Sequence, residues 1–215
     1  AFAHVAFDGL IYNSVSGGEL QLVDLSTRRV TKRFSNCGIV KAVAKSGADT
    51  YAAITDGEGR GVLRISDGKR WPCDCHGLVG TSVVGSNVVV FVGNEVRVFD
   101  PGVSPGDWVV LAKIQESTKV RHGETVNGTL FVSTSSNDML VRIDGGGKYT
   151  IVKSVSDTSD SGAMFDTDLA FDPVAGLLYW AYSVNKRARI RRFAVKDSGS
   201  TGVPDTTPGG GDPLV

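Results

Sequence analysis

Cys73-Asp-Cys75-His76 is the densest group of potential ligands in this chain. On an extended segment Cys73 and Cys75 point to the same side, so two sulfurs and an imidazole can approach one soft metal. Structural zinc usually takes its cysteines two to four residues apart, with a second pair elsewhere. Only Cys37, His4 and His122 remain as a fourth ligand. Cys37 can also pair with Cys73 or Cys75 in an oxidising place. Free structural thiols, one such disulfide and a metal are the three readings, and three cysteines exclude a disulfide-stapled scaffold. A second cluster is Lys186-Arg-Ala-Arg-Ile-Arg-Arg192. In a strand, Arg187, Arg189 and Arg191 share one face and could grip a carboxylate- or phosphate-bearing partner. The plainer account is a solvated outer strand whose charge guards against edge-to-edge pairing. Finally, Asp8, Glu124 and Asp168 are candidates for a glycosidase acid/base pair, which must stand about 5–9.5 Å apart. The sequence holds no G-x-S-x-G elbow, P-loop, H-E-x-x-H or post-strand G-x-G-x-x-G.

Whatever positions these groups is built from 215 residues with 23 Lys+Arg against 23 Asp+Glu, so the net charge is zero. That removes the global attraction to nucleic acid and the solvating character of an acidic chain. Apolar residues make up 41%, enough for a substantial core. No run approaches the roughly 18 apolar residues that cross a bilayer, and Ala1-Phe-Ala-His4 has no basic stretch leading an apolar one. We therefore expect neither membrane insertion nor an uncleaved signal peptide. The 27 glycines fall between short runs rich in Val, Ile, Phe, Tyr and Thr, as in an all-β chain with tight turns.

Those runs repeat. Leu10-Ile-Tyr12, Thr50-Tyr51-Ala, Val88-Val89-Val, Leu130-Phe131-Val and Leu178-Tyr179-Trp read as equivalent second strands. Their anchors Tyr12, Tyr51, Val89, Phe131 and Tyr179 are spaced by 39, 38, 42 and 48 residues. Alternating third strands follow at Leu20–Asp24, Val62–Ser66, Val96–Asp100, Leu140–Asp144 and Ile190–Phe193. Asp24, Asp100 and Asp144 close theirs and suit Asx-type turns. Fourth strands follow at Arg29–Phe34, Lys69–Trp71, Trp108–Leu111 and Tyr149–Val152. A period near 40 with four strands per unit predicts an all-β fold, a β-propeller of five blades. The blades run over about 2–35, 38–75, 78–114, 118–155 and 164–196, the last incomplete or completed by another segment. Residues 197–215 read as a Gly/Pro/Thr-rich tail.

The fifth unit carries a family resemblance. Asp168-Leu-Ala-Phe-Asp172-Pro-Val-Ala-Gly176-Leu-Leu-Tyr179-Trp180, then Ala188-Arg-Ile190-Arg-Arg-Phe193, resembles a blade of the YWTD and NHL propeller families. Ala181-Tyr182 stand where a YWTD blade has Thr-Asp. The resemblance implies a propeller and, as one possible role, a receptor-like module.

Propellers bind ligands at the mouth of the channel lined by first strands. Here those strands are expected at His4–Asp8, Lys41–Ser46, Thr81–Ser86, Gly123–Asn127 and Asp168–Asp172. His4, Lys41, Thr81, Arg121, His122 and Asp168 then reach the mouth, where they could hold an anion, a glycan or a metal; a water-solvated lining is the plain alternative. The expected function is a non-enzymatic binding or assembly module for other protein subunits, meeting them through the C-terminal tail. A carbohydrate-binding or glycan-cleaving propeller is the alternative. No cofactor and no nucleic acid are expected, and an extracellular or particle-surface setting is favoured over the cytoplasm.

Overall fold

A computed structural model of the chain describes residues 4–7, 10–15, 19–35, 39–55, 60–80, 88–135, 139–154, 164–184 and 187–195. Side chains are described from residue 19 on, except at 164–166, 184 and 187. Strands make up five sheets. The first holds β1 (His4–Phe7), β2 (Leu10–Val15), β3 (Glu19–Asp24) and β4 (Arg29–Phe34) in that order. The second holds β5 (Val40–Ser46), β6 (Asp49–Ile54), β7 (Gly61–Arg64) and β8 (Arg70–Pro72). In the third are β9 (Cys75–Gly80), β10 (Val88–Val92), β11 (Glu95–Val98) and β12 (Val110–Lys113). The fourth holds β13 (Lys119–Val126), β14 (Thr129–Ser135), β15 (Met139–Gly145) and β16 (Lys148–Ser154). The fifth has three strands among the described residues, β17 (Met164–Asp172), β18 (Leu177–Val184) and β19 (Arg187–Ala194).

Sequence neighbours pair antiparallel, because short polar turns return each strand directly onto the last. All five anchors, Tyr12, Tyr51, Val89, Phe131 and Tyr179, lie on the second strand of their sheets. Turn chemistry fits the hairpins. Asn127 (φ +48°) and Gly128 (φ +77°) join β13 to β14, both left-handed as a type I′ turn requires. The Asp24 carboxylate accepts from the Ser26 and Thr27 amides at 2.7 and 3.0 Å, and Asp100 accepts from Gly102 at 2.7 Å. Asp144 departs from the expected Asx turn. It accepts instead from Arg142 Nε and Thr150 Oγ1, both at 2.6 Å, because the guanidinium two residues back on β15 and the hydroxyl across on β16 reach it first.

Two strand placements differ from expectation. The first strand of the third sheet is Cys75–Gly80, not Thr81–Ser86, since Gly80 pairs with Val88 and Leu78 with Val90. Thr81 lies outside the described residues, as does the tail at 197–215. The fourth strand there begins at Val110, after a 3-10 turn over Pro105–Asp107.

Contacts divide the chain into two compact units, 1–80 with 85–93 and 97–109, and 81–84 with 94–96 and 110–215. The core of the first centres on Tyr51, Trp71, Phe99 and Trp108, which meet edge to face with centroids 4.8 to 6.3 Å apart. Both indoles are satisfied, Trp71 donating to the Pro101 carbonyl at 3.2 Å and Trp108 to Asp100 O at 3.0 Å. The second unit buries Phe131 and Leu140 of the fourth sheet against Leu178, Trp180, Tyr182 and Phe193 of the fifth. Trp180 Nε1 donates to the buried Thr167 Oγ1 at 2.7 Å, which keeps a polar atom paired in that core.

Candidate functional site

The first strands carry a shared irregularity. In β5, β9 and β13 one residue is left without a Cα partner: Lys41, His76 and Arg121 respectively. Each follows a fully buried residue, Val40, Cys75 or Val120, and each is itself half-buried. A bulge of this kind bends the strand and re-aims the side chain after the buried one. The bulges were not expected from sequence; Lys41 and Arg121 were expected at the channel mouth. His76 was not, because the first strand of its sheet was expected six residues downstream. Its ring nitrogens lie 3.2 Å from the Asp74 carbonyl and 3.3 Å from the Gly93 carbonyl.

After its bulge, β13 presents His122 and Glu124 on one face, two residues apart. Their Cα partners on β14 are Ser133 and Phe131. Phe131 packs into the cluster shared with the fifth sheet, so that face of β13 looks toward β17. There Asp168 stands between the buried Thr167 and Leu169, alternating to the opposite, exposed side. His122 Nδ1 lies 3.2 Å from Asp168 Oδ1. The carboxylate thereby orients the ring and leaves Nε2 as the other functional nitrogen. Burial pushes the Glu124 carboxyl up, the Thr125 backbone N–H pulls it down less, and the Asp168 charge adds a further upward push. The Ser133 hydroxyl, on the His122 rung, is buried with no hydrogen-bond partner among the described residues.

The expected residues therefore separate. His122 and Asp168 come together, and Glu124 joins them although only the carboxylate argument had singled it out. Arg121 sits beside them on β13. Lys41 is at its own bulge on β5 in the other unit. His4 pairs with Asn13 through its backbone, and its side chain lies outside the described residues. The cysteine reading is corrected. Cys73 and Cys75 are bonded to each other with Cα atoms 5.2 Å apart, so neither pairs with Cys37. That separation falls within the usual disulfide range, and the link consumes both sulfurs that a metal would need. Cys37 lies outside the described residues. No group of three His, Cys, Asp or Glu is set to hold a metal among the described residues.

The arginines of β19 also sit differently. Arg189 and Arg191 are half-buried on the side of Tyr182 and Trp180, and Arg191 Nε donates to the Tyr182 hydroxyl at 2.7 Å. The exposed face of the strand is instead Ala188, Ile190 and Arg192. An arginine's aliphatic stem can lie along aromatic surface while its charged head reaches a polar atom, as Arg191 does at the Tyr182 hydroxyl.

Among solved structures the chain is similar to hydrazine synthase of Kuenenia stuttgartiensis, with TM-score 0.63 at 15% identity over 90% of this chain and 66% of that one. It is similar as well to the β-propeller domain of Cps50 (Swd1) of Myceliophteria thermophila, with TM-score 0.59 at 13% identity over 95% of this chain and 71% of that one. The fold is that of a β-propeller. A chain of the Mitotic Checkpoint Complex gives TM-score 0.63 at 11% identity over 96% of this chain and 63% of that one. This propeller chain thus spans about two thirds of the length of each of these neighbours. No protein-family model matches the sequence, and no curated relative does. Within the propeller, the His122–Asp168 pair joins the first strands of two successive sheets.

Proposed function

We propose that this chain is a binding or assembly module that meets protein partners through the first strands of its fourth and fifth sheets. The observation that carries this reading is the oriented pair His122–Asp168 with half-buried Glu124 beside it. An exposed carboxylate held by an imidazole, next to a second carboxyl in a drier setting, suits a partner's basic or hydroxyl-bearing side chain. A chain of similar fold in the Mitotic Checkpoint Complex supports a scaffold role by analogy of fold. The Leu169–Trp180 stretch supports a YWTD/NHL-like repeat. The reading extends to contacts made by residues 197–215 and to an extracellular or particle-surface setting. Light scattering on the chain with its isolated partner tests it. We expect a complex that His122→Ala with Asp168→Asn weakens at least tenfold. A complex that tolerates both substitutions would refute the site.

A second reading is a glycan-binding or glycan-cleaving propeller. It is favoured by one observation, that Glu124 is held toward its protonated form beside the Asp168 carboxylate, the asymmetry an acid and its partner need. A glycan array and glycosidase panel should then give a signal that Glu124→Gln and Asp168→Asn abolish. A blank panel removes this reading and leaves the first intact.

A further inference from the structure

We infer that the outer edge of β19 accepts an extended, acidic segment of a protein partner as an added strand. The strand is bonded on one side only among the described residues. The Val195 N–H donates to the Gly176 carbonyl at 3.1 Å, and Ala194 is the Cα partner of Leu177. In an antiparallel pair, bonded and non-bonded rungs alternate. Arg189, Arg191 and Phe193 therefore spend their backbone groups on β18. Ala188, Ile190 and Ala194 turn theirs the other way, toward the open edge.

The comparison within the molecule sharpens this. In the fourth sheet the third strand, β15, is flanked by β16, which pairs with it from Met139 to Gly145. In the fifth sheet β19 holds the same third position with no strand beyond it among the described residues. Its exposed face shows Ile190, 46% exposed, between Ala188 and Arg192.

Charge chooses the occupant. Four of the eight residues of β19 are arginine and none is acidic. A strand laid alongside would set its side chains within about 4.5–5.5 Å of its neighbours, where opposite charges stabilise and like charges repel. Ile190 and Arg192 share a face, so the added strand would set an apolar side chain opposite Ile190 and an acidic one two residues on, opposite Arg192. Main-chain bonds supply affinity in strand addition, and alternate side chains supply selectivity. This goes beyond the His122–Asp168 reading and uses none of its residues.

The test is fluorescence anisotropy of the full chain with a labelled eight-residue peptide, Thr-Glu-Thr-Val-Thr-Glu-Thr-Val, which sets glutamate and valine in turn along one face. The same peptide with lysine in place of glutamate serves as the control. The acidic peptide should bind, and binding should weaken severalfold when NaCl rises from about 50 to about 300 mM. Ile190→Pro removes an outward N–H and should weaken binding at least tenfold. Arg192→Glu, on an exposed side chain, should reverse the preference between the two peptides. Equal binding of both peptides, or indifference to Ile190→Pro with the fold intact by circular dichroism, would overturn the proposal. Slow hydrogen exchange at Ala188 and Ile190 in the chain alone would overturn it too, because the edge would already be taken.

Discussion

The fourth and fifth sheets begin alike and finish differently. Both pack a second-strand aromatic region into one shared cluster, with Phe131 from one and Trp180 from the other fully buried. Their third strands also match in register. Arg142 pairs with the anchor Phe131 as Arg192 pairs with Tyr179, so Leu140 and Ile190 hold equivalent places two residues earlier. Leu140 is fully buried, yet Ile190 is 46% exposed. The residue type is nearly the same and the local conformation is the same. The difference lies in what covers the strand. β15 has β16 along its edge and the fifth sheet over its Leu140 face, whereas among the described residues β19 has no fourth strand and no sheet over its Ile190 face. Apolar alternation therefore reports the capacity to be buried, and the neighbours decide whether burial occurs.

The most severe way to break this comparison is Trp180→Ala. A fully buried indole lost from the shared cluster should cost about 3–5 kcal/mol in urea unfolding, and Phe131→Ala about as much. A much smaller loss at Trp180 would mean that the fifth sheet is not packed as firmly as the fourth. Next comes the matched pair at the third strands. Leu140→Ala should cost about 2–5 kcal/mol, because a buried side chain leaves a cavity. Ile190→Ala should stay within roughly 0.5 kcal/mol, the range of exposed substitutions. Equal costs would show that β19 is covered in solution by something the three-stranded sheet does not contain.

Thr167→Val ranks below these. It keeps the shape of the side chain but strands the Trp180 N–H in the core, and should cost about 1–3 kcal/mol. The fourth sheet offers a contrast at Ser133, whose buried hydroxyl has no partner among the described residues. Ser133→Ala should therefore be neutral or slightly stabilising in the same unfolding measurement. Thermal scans of the two variants side by side separate a hydroxyl that holds its neighbour from one that does not.

How much of this was readable beforehand follows from what each signal depends on. The second strands were legible because their apolar runs are local, and the anchors Phe131 and Tyr179 take matching registers. The first strand of the third sheet was not. Cys75–Gly80 contains a histidine and two glycines, and its bulge at His76 breaks the alternation that marks a strand. Thr81–Ser86 reads at least as well by composition. That His122 and Glu124 share a face is legible from their spacing. Their meeting with Asp168 is not, since it depends on how two sheets pack. Cys73 and Cys75 were expected on one side of an extended segment, but the chain is not extended between β8 and β9: their Cα atoms are 5.2 Å apart, closer than two strand steps. The outward-facing arginines of β19 were misjudged because parity gives two faces without saying which one the core takes.

A small, pH-dependent effect sits where the two sheets meet, at Glu124. Its carboxyl is held above the usual range, first by burial and then by the Asp168 charge. Folding therefore favours its protonated form, and stability at this residue is full below the unfolded value near pH 4.5. It is lost as pH rises through the higher folded value. Gln cannot ionise, so Glu124→Gln should match the wild type near pH 4 and exceed it near pH 8. Solvent reaches the site, and the gain should be a Tm rise of only about 1–2 °C. The slope with pH is the informative quantity, because a lost packing contact would shift Tm equally at every pH. Asp168→Asn removes one of the two upward pushes and should flatten that slope without abolishing it. If Asp168→Asn left the slope unchanged, burial within the fourth sheet alone would account for Glu124, and the fifth sheet would have no electrostatic share in the site.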